Sequence, residues 1–127
     1  MDNALQVGKK LVELCKQGKN LEAIETLYAS NIVSIEPHGD EKMPARMEGI
    51  DAIKGKNKWF FDNHTIHGGD AKGPWANGDR FTVYFAHDVT AKTGPMAGKR
   101  IRMEETGLYT VKNGKVVQEE YFYDIGG

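Results

Sequence analysis

The second half of the chain restricts the fold most strongly. From His64 onward, apolar and polar residues alternate with a period of two, which is the periodicity of β-strands. Asn77-Gly78 and Asn113-Gly114 interrupt this alternation. Asn-Gly is the strongest short signal for a tight β-hairpin, because both turn residues must adopt positive φ. With a longer turn at 92–97, the pattern predicts strands at 65–75, 79–91, 98–112 and 115–124.

The first half has the periodicity of helices. Asp2 or Asn3 can cap a first helix that ends at Gly18, and Asn20 can cap a second. A third helix is predicted over residues 50–61. Helices followed by a mainly antiparallel sheet predict the α+β class.

A short strand is predicted between the second and third helices. Residues 32–36 are mostly apolar and β-branched, and Pro37 follows them. Because proline has no N–H to donate, the strand is predicted to lie at an edge of the sheet. Residues 38–46 are polar and aperiodic, which predicts a loop.

Length and composition bound the class of protein. A chain of 127 residues is expected to form one domain, residues 1–127. The net charge is −1 and the Lys and Arg residues are scattered, which argues against a nucleic-acid or membrane partner. The group of Lys54, Lys56 and Lys58 is predicted to form a solvated helix face. Cys15 is the only cysteine and suits a reducing compartment. With no apolar signal segment, a cytoplasmic location is expected.

Several stretches resemble one known family. They are Leu27–Pro37, Glu48–Ile53 and Asn113–Val117, with Tyr123-Asp124 after the last of them. The chain resembles the SnoaL-like (polyketide cyclase-like) branch of the nuclear transport factor 2-like (NTF2-like) and steroid Δ-isomerase superfamily. The resemblance implies three N-terminal helices packed on a curved mixed sheet, around a cone-shaped pocket. It also implies a homodimer packed through the sheet and a small hydrophobic molecule as ligand.

Glu36 is the first candidate for chemistry. Steroid Δ-isomerases of this superfamily place a general-base Asp just before a proline at the end of the first strand, and Glu36-Pro37 is similar to that arrangement. Their two oxyanion-binding groups would fall near Leu11 and Gly107, which have no side-chain donor. Glu36 is therefore predicted either as a base in an apolar cone or as a solvated carboxylate at a strand end.

The last two predicted strands carry further candidates. Because side chains alternate between the two faces of a strand, seven residues of these two strands are predicted to share one face. The resemblance implies that this face lines the cavity. The set is Met103, Glu105, Gly107 and Tyr109, with Glu119, Tyr121 and Tyr123. The opposite register would turn Glu104 and Glu120 inward instead. Tyr121 and Tyr123 are candidate proton donors, or alternatively core or interface aromatics.

Histidines and large apolar residues complete the candidates. No compact metal-ligand spacing occurs among the four histidines, so no metal and no cofactor is predicted. His87 shares strand parity with Phe85, so it is either a second base or a core histidine. The predicted ligand-binding wall consists of Trp59, Phe60, Trp75, Phe85 and Met103. For Trp59 and Trp75 the alternative is packing, the commoner role of a large aromatic near a helix-to-sheet junction.

Two functional hypotheses follow. The first is an enzyme that performs cofactor-independent acid and base chemistry, of isomerase or cyclase type, on a hydrophobic carbonyl or polycyclic compound. The second is a non-catalytic ligand-binding or dimerisation module of the same fold. An interior filled by the chain's own aromatics, with Glu36 in solvent, would favour the second.

Overall fold

A computed structural model describes residues 2–124 of the chain. Its three helices are α1 (Ala4–Lys16), α2 (Asn20–Leu27) and α3 (Ile50–Asp62). The strands are β1 (Tyr28–Ile35), β2 (Arg46–Glu48), β3 (His64–Asn77), β4 (Arg80–Ala91), β5 (Arg100–Lys112) and β6 (Lys115–Phe122). Over these residues the α+β class is confirmed, and β2 is a strand that the sequence did not predict. None of the described helices has both the length and the apolar character needed to cross a membrane.

Helix α1 is defined by its cap and its apolar stripe. Asn3 accepts a hydrogen bond from the Gln6 backbone, and the Gln6 side chain returns one to the Asn3 backbone, which forms a capping box. Val7 and Leu11, which are one helical turn apart, are buried. At Gly8 the helix approaches β3 so closely that an added Cβ would lie 2.8 Å from the Pro74 Cβ.

The six strands form one mixed sheet in the order β2-β1-β6-β5-β4-β3. Only β1 and β6 pair in parallel; the other described neighbours are antiparallel. One face of the sheet shares a hydrophobic cluster with all three helices. From the strands this core includes Ile32, Phe81, Val83, Phe85, Tyr109, Val111 and Val116, and from the helices Val7, Leu11, Ile24 and Ile53.

The two Asn-Gly pairs form tight turns of different kinds. At the second, Lys112 pairs with Lys115, and Asn113 and Gly114 have φ of 52° and 75°, as a type I′ turn requires. At the first, Asn77 pairs with Arg80, so Gly78-Asp79 forms the loop. The expectation that Asn77 itself adopts positive φ is wrong, because the positive φ of 64° belongs to Gly78 at the first central position.

The expectation that the strand before Pro37 lies at an edge is also wrong. β1 begins at Tyr28, directly after α2, and lies between β2 and β6. Arg46, predicted as loop, starts β2 and pairs with Ile35. Pro37 falls outside the paired residues of β1, so its missing N–H costs the ladder nothing. The three-residue β2 is too short to show a period in sequence.

Candidate functional site

The polar site is centred on Lys56, which projects from α3 toward the ends of β1 and β6. Its Nζ donates to Ser34 Oγ at 2.6 Å and to Glu36 Oε1 at 3.0 Å, and lies 3.5 Å from Glu119 Oε2. We call Ser34, Glu36, Lys56 and Glu119 the charged cluster. The ammonium also lies 5.2 Å from the centre of the Tyr121 ring, within reach of a cation–π interaction.

Glu119 and Ser34 are the most deeply buried members of the charged cluster, each with 1% of its surface exposed. Ser34, the register partner of Glu119 in the parallel pair of β1 and β6, donates to Glu119 Oε2 at 2.7 Å. Oε1 accepts from the Tyr28 hydroxyl and, at 2.8 Å, from the Tyr121 hydroxyl. Three hydroxyl donors and a nearby ammonium are what a buried carboxylate needs in order to remain ionised.

The tyrosines around Glu119 are held in their neutral form. Burial raises the pKa of Tyr28, Tyr109 and Tyr121 well above the ordinary value, and the charge of Glu119 raises each of them further. The Tyr109 and Tyr121 hydroxyl oxygens are 3.3 Å apart. Burial and then the charge of Glu119 also raise the pKa of the Cys15 thiol to about 12, so this thiol stays protonated and unreactive at neutral pH.

Glu36 lies one residue past the end of β1, where its backbone N–H donates to the Ala45 carbonyl at 2.8 Å. Its side chain is 20% exposed, so solvent reaches it from one side. Oε1 is paired with Lys56, whereas Oε2 is buried and receives no well-aligned hydrogen bond from the described residues. Burial raises the pKa of Tyr123. The charge of Glu36 and a hydrogen bond between the two side chains raise this pKa further, which places Tyr123 beside the carboxylate.

A second polar pair stands nearby on β4 and β5. His87 Nε2 and Glu105 Oε1 are 3.4 Å apart, and their side chains are 26% and 22% exposed. Glu105 also contributes to the raised pKa of Tyr123, so both carboxylates act on this tyrosine. Phe60 and Phe85 flank the imidazole, with ring centroids 5.8 Å and 6.2 Å from it.

This arrangement can move protons. Two partly exposed carboxylates, a histidine and a tyrosine hydroxyl lie along one region of the sheet, and an ammonium supplies positive charge beside them. Such groups can remove a proton from carbon and return it elsewhere. Over residues 2–124, no group of three or more His, Cys, Asp or Glu side chains is arranged to hold a metal ion.

Comparison with family profiles identifies the family of this chain. The profile of the SnoaL-like domain matches residues 3–123. The chain belongs to the SnoaL-like domain family. Sequence similarity to a solved structure supports this assignment: a protein from Mesorhizobium loti, provisionally named a SnoaL-like polyketide cyclase with carbohydrate phosphatase as a second designation, is 42% identical. The TM-score is 0.85, and the match covers 93% of this chain and 97% of that one.

More distant structures share the fold of this SnoaL-like chain. An NTF2-like protein from Burkholderia thailandensis has a TM-score of 0.80 at 17% identity, over 98% of this chain and 92% of the other. A protein from Jannaschia sp. CCS1, also provisionally named a SnoaL-like polyketide cyclase, has a TM-score of 0.71 at 17% identity, over 94% and 84%. No protein of curated function matches the sequence.

The SnoaL-like protein has the strand register that was favoured from its sequence. Gly107 pairs with Tyr121 and Tyr109 with Glu119, and these residues follow Val83 and Phe81 across the sheet on the face that carries the core. Glu119 is buried, whereas Glu104 is exposed and forms an ion pair with Arg102 on the opposite face. The competing register, with Glu104 inward, is excluded.

The predicted ligand wall divides into two groups. Trp59 and Trp75 are 48% and 60% exposed, and Trp75 pairs with Thr82 on the face opposite the core. Phe85 is buried, and Met103, the register partner of His87, is half-buried, as is Phe60. Two surface depressions lie elsewhere, one beside Asn3 and Gly78 and the other beside Lys10 and Leu14. The conical cavity therefore stays a prediction.

Sequence reasoning missed Lys56 and Ser34. Lys56 was interpreted as part of a solvated helix face together with Lys54 and Lys58. Its spacing was nevertheless informative, because it lies three residues after the buried Ile53 and four before Phe60, on the inner face of α3. The surroundings of Glu36 are accordingly more polar than the predicted apolar cone.

Proposed function

We propose that this SnoaL-like protein is a cofactor-independent acid/base enzyme that acts on a hydrophobic carbonyl or polycyclic compound. The reaction would be an isomerisation or a cyclisation through an enolate. Glu36 is the base in this proposal, Tyr123 a donor or orienting group, and the pair of His87 and Glu105 an alternative site of proton transfer. Tyr121, whose proton is donated to Glu119, orients the charged cluster rather than the substrate.

The observation that carries the proposal is the state of the Glu36 carboxylate. One oxygen is held by Lys56 at 3.0 Å, and the other is buried without a well-aligned donor among the described residues. A substrate that displaces the side chains covering Oε2 and brings an acidic C–H to it would meet an oriented base there.

The chemical step balances within the substrate and Glu36. The C–H bond next to the carbonyl breaks, its proton passes to Glu36 Oε2, and its electron pair forms a C=C bond while the carbonyl oxygen becomes negative. In a β,γ-unsaturated ketone the enolate is conjugated, and return of the proton from Glu36 to the γ-carbon gives isomerisation. In a dicarbonyl compound, the enolate carbon attacks the second carbonyl, whose oxygen takes the proton from Glu36, and this gives cyclisation.

Exchange of carbon-bound hydrogen tests the base directly. We expect the protein to accelerate the exchange of the α-hydrogens of 2-tetralone, a bicyclic ketone, for deuterium in D₂O, followed by ¹H NMR. Glu36→Gln keeps the size of the side chain but removes the base, so it should lower the protein-dependent rate by about 10²–10⁴-fold.

Glu104→Gln is the matched control, because Glu104 is exposed and pairs with Arg102 at 3.1 Å on the opposite face. This variant should exchange 2-tetralone at the unaltered rate. A Glu36→Gln protein as active as the original would remove Glu36 from the mechanism and direct attention to His87.

A second candidate function, a non-catalytic binding or dimerisation module, is favoured by the packing of the interior. Phe81 and Tyr109 are each 1% exposed and stack at 4.9 Å, so the chain's own aromatics fill this part of the core. The module predicts no acceleration of hydrogen exchange by the unaltered protein, whereas the enzyme predicts acceleration that Glu36→Gln abolishes.

We also propose that the protein forms a homodimer through the face of the sheet opposite the core. Phe122 is 50% exposed on that face, in a row with Thr106 and Tyr84 across three strands. Trp75, in the next row, is also exposed. Large apolar side chains on a sheet face without a covering helix are typical of an interface between subunits.

A further inference from the structure

The proposed reaction needs a group that stabilises the negative oxygen of the enolate. Leu11 and Gly107 have no side-chain donor, and Tyr121 already donates its proton to Glu119. We propose that Lys56 is this group: a catalytic ammonium that binds the enolate oxygen and is held in place by Ser34 and Glu119. This inference rests on the proposed function, since it concerns the same substrate.

Lys56 has a suitable position. Its Nζ is 3.0 Å from one oxygen of Glu36, while the other oxygen of Glu36 is the proposed proton acceptor. In a ketone, the acidic carbon and the carbonyl oxygen are both bonded to the same carbonyl carbon. A substrate that gives its proton to Glu36 therefore brings its oxygen close to Lys56. The Lys56 side chain is 20% exposed, so its surroundings are largely free of water, yet a ligand can reach it.

The remaining contacts of Lys56 provide an anchor that does not depend on Glu36. Of the three N–H groups of an ammonium, one donates to Ser34 Oγ and one to Glu36 Oε1, and the third makes only a long ion-pair contact with Glu119 Oε2 at 3.5 Å, which a ligand oxygen can replace. Ser34 in turn donates to Glu119, and the Glu119 carboxylate lies 3.5 Å from the ammonium. The positive charge stays compensated by Glu119 even when Glu36 becomes neutral.

The charge distribution changes in the required direction during the reaction. Before proton transfer, Glu36 is negative and attracts Lys56. After transfer, Glu36 is neutral, the negative charge resides on the enolate oxygen, and the N–H that pointed at Glu36 is released. The interaction of Lys56 with the substrate is therefore stronger in the transition state than in the ground state, which is the condition for catalysis.

The neighbouring lysines of α3 supply a contrast. Lys54 reaches Glu25 of α2 at 3.7 Å, and Lys58 pairs with Asp62 in the next turn of α3. Both pairs are solvent-exposed, and neither contacts the charged cluster in the described structure. Replacement of Lys54 thus removes a charge of the same type from the same helix without altering the site.

Binding of 2-naphthol tests the proposal without requiring turnover. Its anion resembles a bicyclic enolate, and absorbance distinguishes the anion from the neutral form. Glu36→Gln mimics the protonated base, so this variant should bind the anion at least about tenfold more tightly than the original protein. Adding Lys56→Met should weaken anion binding at least about tenfold and lower the ionised fraction of bound naphthol. Adding Lys54→Met should change neither quantity.

Each result has a defined meaning. If the Glu36→Gln variant and the Glu36→Gln/Lys56→Met double variant bind equal fractions of naphthol as the anion, Lys56 is not the oxyanion group. The 2-tetralone exchange still decides whether Glu36 is the base. If no folded variant binds naphthol, the inference is overturned together with the choice of polycyclic ligand. Circular dichroism checks folding. Should Lys56→Met not fold, Lys56→Gln, which retains a donor for Ser34, is expected to show the same loss of anion.

Discussion

At the scale of single residues, the ionised Glu119 depends on its neighbours. A buried carboxylate is costly unless it is hydrogen-bonded and paired with positive charge. Here Ser34, Tyr28 and Tyr121 donate to it, and Lys56 stands 3.5 Å away. Removal of any one donor leaves a charge that water cannot reach.

Replacement of Tyr28 tests this dependence. Tyr28→Phe removes one donor to Glu119 and keeps the aromatic ring, so we expect the free energy of unfolding at pH 7 to fall by about 1–3 kcal/mol. Urea denaturation measures the change. Tyr84→Phe is the control: the Tyr84 hydroxyl has only a 3.4 Å contact with exposed Arg102, and its loss should cost less than about 0.5 kcal/mol. Equal effects in the two variants would contradict the assigned role of Tyr28.

The same tyrosines predict a dependence on alkaline pH. Burial, followed by the charge of Glu119, raises the pKa of Tyr28, Tyr109 and Tyr121 in the folded protein. The folded state thus keeps protons that the unfolded state loses near pH 9.0 at Cys15 and near pH 10.0 at these tyrosines, so stability should begin to fall near pH 9 and fall more steeply above about pH 10. Urea denaturation from pH 8 to pH 11 checks this, and stability that rises over the interval would contradict it.

Sequence alone predicted only part of this network. Glu36 was found because a proline follows it, and Tyr121 because strand parity placed it inward. Lys56 was missed because a lysine between two other lysines suggests solvent. The carboxylates that bring it inside come from β6 and from the end of β1, which are remote in sequence. Trp59 and Trp75 show the opposite error. Their residue type suggested a ligand wall, but the position of Trp59 on its helix and the strand pairing of Trp75 leave both side chains exposed.

At the scale of elements, the sequence predicts those features that a few neighbouring residues determine. The capping box of α1 and the type I′ turn at Asn113-Gly114 follow from residue types within a few positions. Three-residue β2 has no period, so it is determined by its pairing with β1 and not by its own sequence. The central position of β1 could not be predicted for the same reason.

Two helical glycines should respond oppositely to alanine. Gly8→Ala would place a methyl group 2.8 Å from rigid Pro74, where α1 crosses β3, so we expect a loss of about 1–3 kcal/mol of stability. Gly55 lies in α3 with no atom within 4 Å of an added Cβ, so Gly55→Ala should stabilise by about 0.5–1 kcal/mol. Thermal denaturation of both variants measures the change in stability. Changes of the same sign in the two variants would refute the close approach of α1 to β3.

At the scale of the whole molecule, the two faces of the sheet carry different side chains. One face packs on all three helices and carries the charged cluster, while the opposite face exposes Phe122 and Trp75. A fold of this kind can associate through one face without closing the site on the other.

The proposed dimer can be tested by its mass in solution. Phe122→Asp places a charge in the proposed interface and should weaken association at least about tenfold, as measured by light scattering during gel filtration. Leu21→Asp is the control, because Leu21 is similarly exposed, at 47%, but lies on α2. A monomeric original protein, or a Phe122→Asp protein that stays dimeric, would refute the proposed interface.

The parallel pairing of β1 with β6 also governs when the site can form during synthesis. Tyr28 and Ser34 are 91 and 85 positions from Glu119 in the sequence, and closing so long a loop is entropically slow. A nascent chain that has left the ribosome only as far as β5 already contains Glu36 and Lys56, but not the carboxylate that anchors them. During synthesis, the charged cluster therefore cannot form until β6 has left the ribosome.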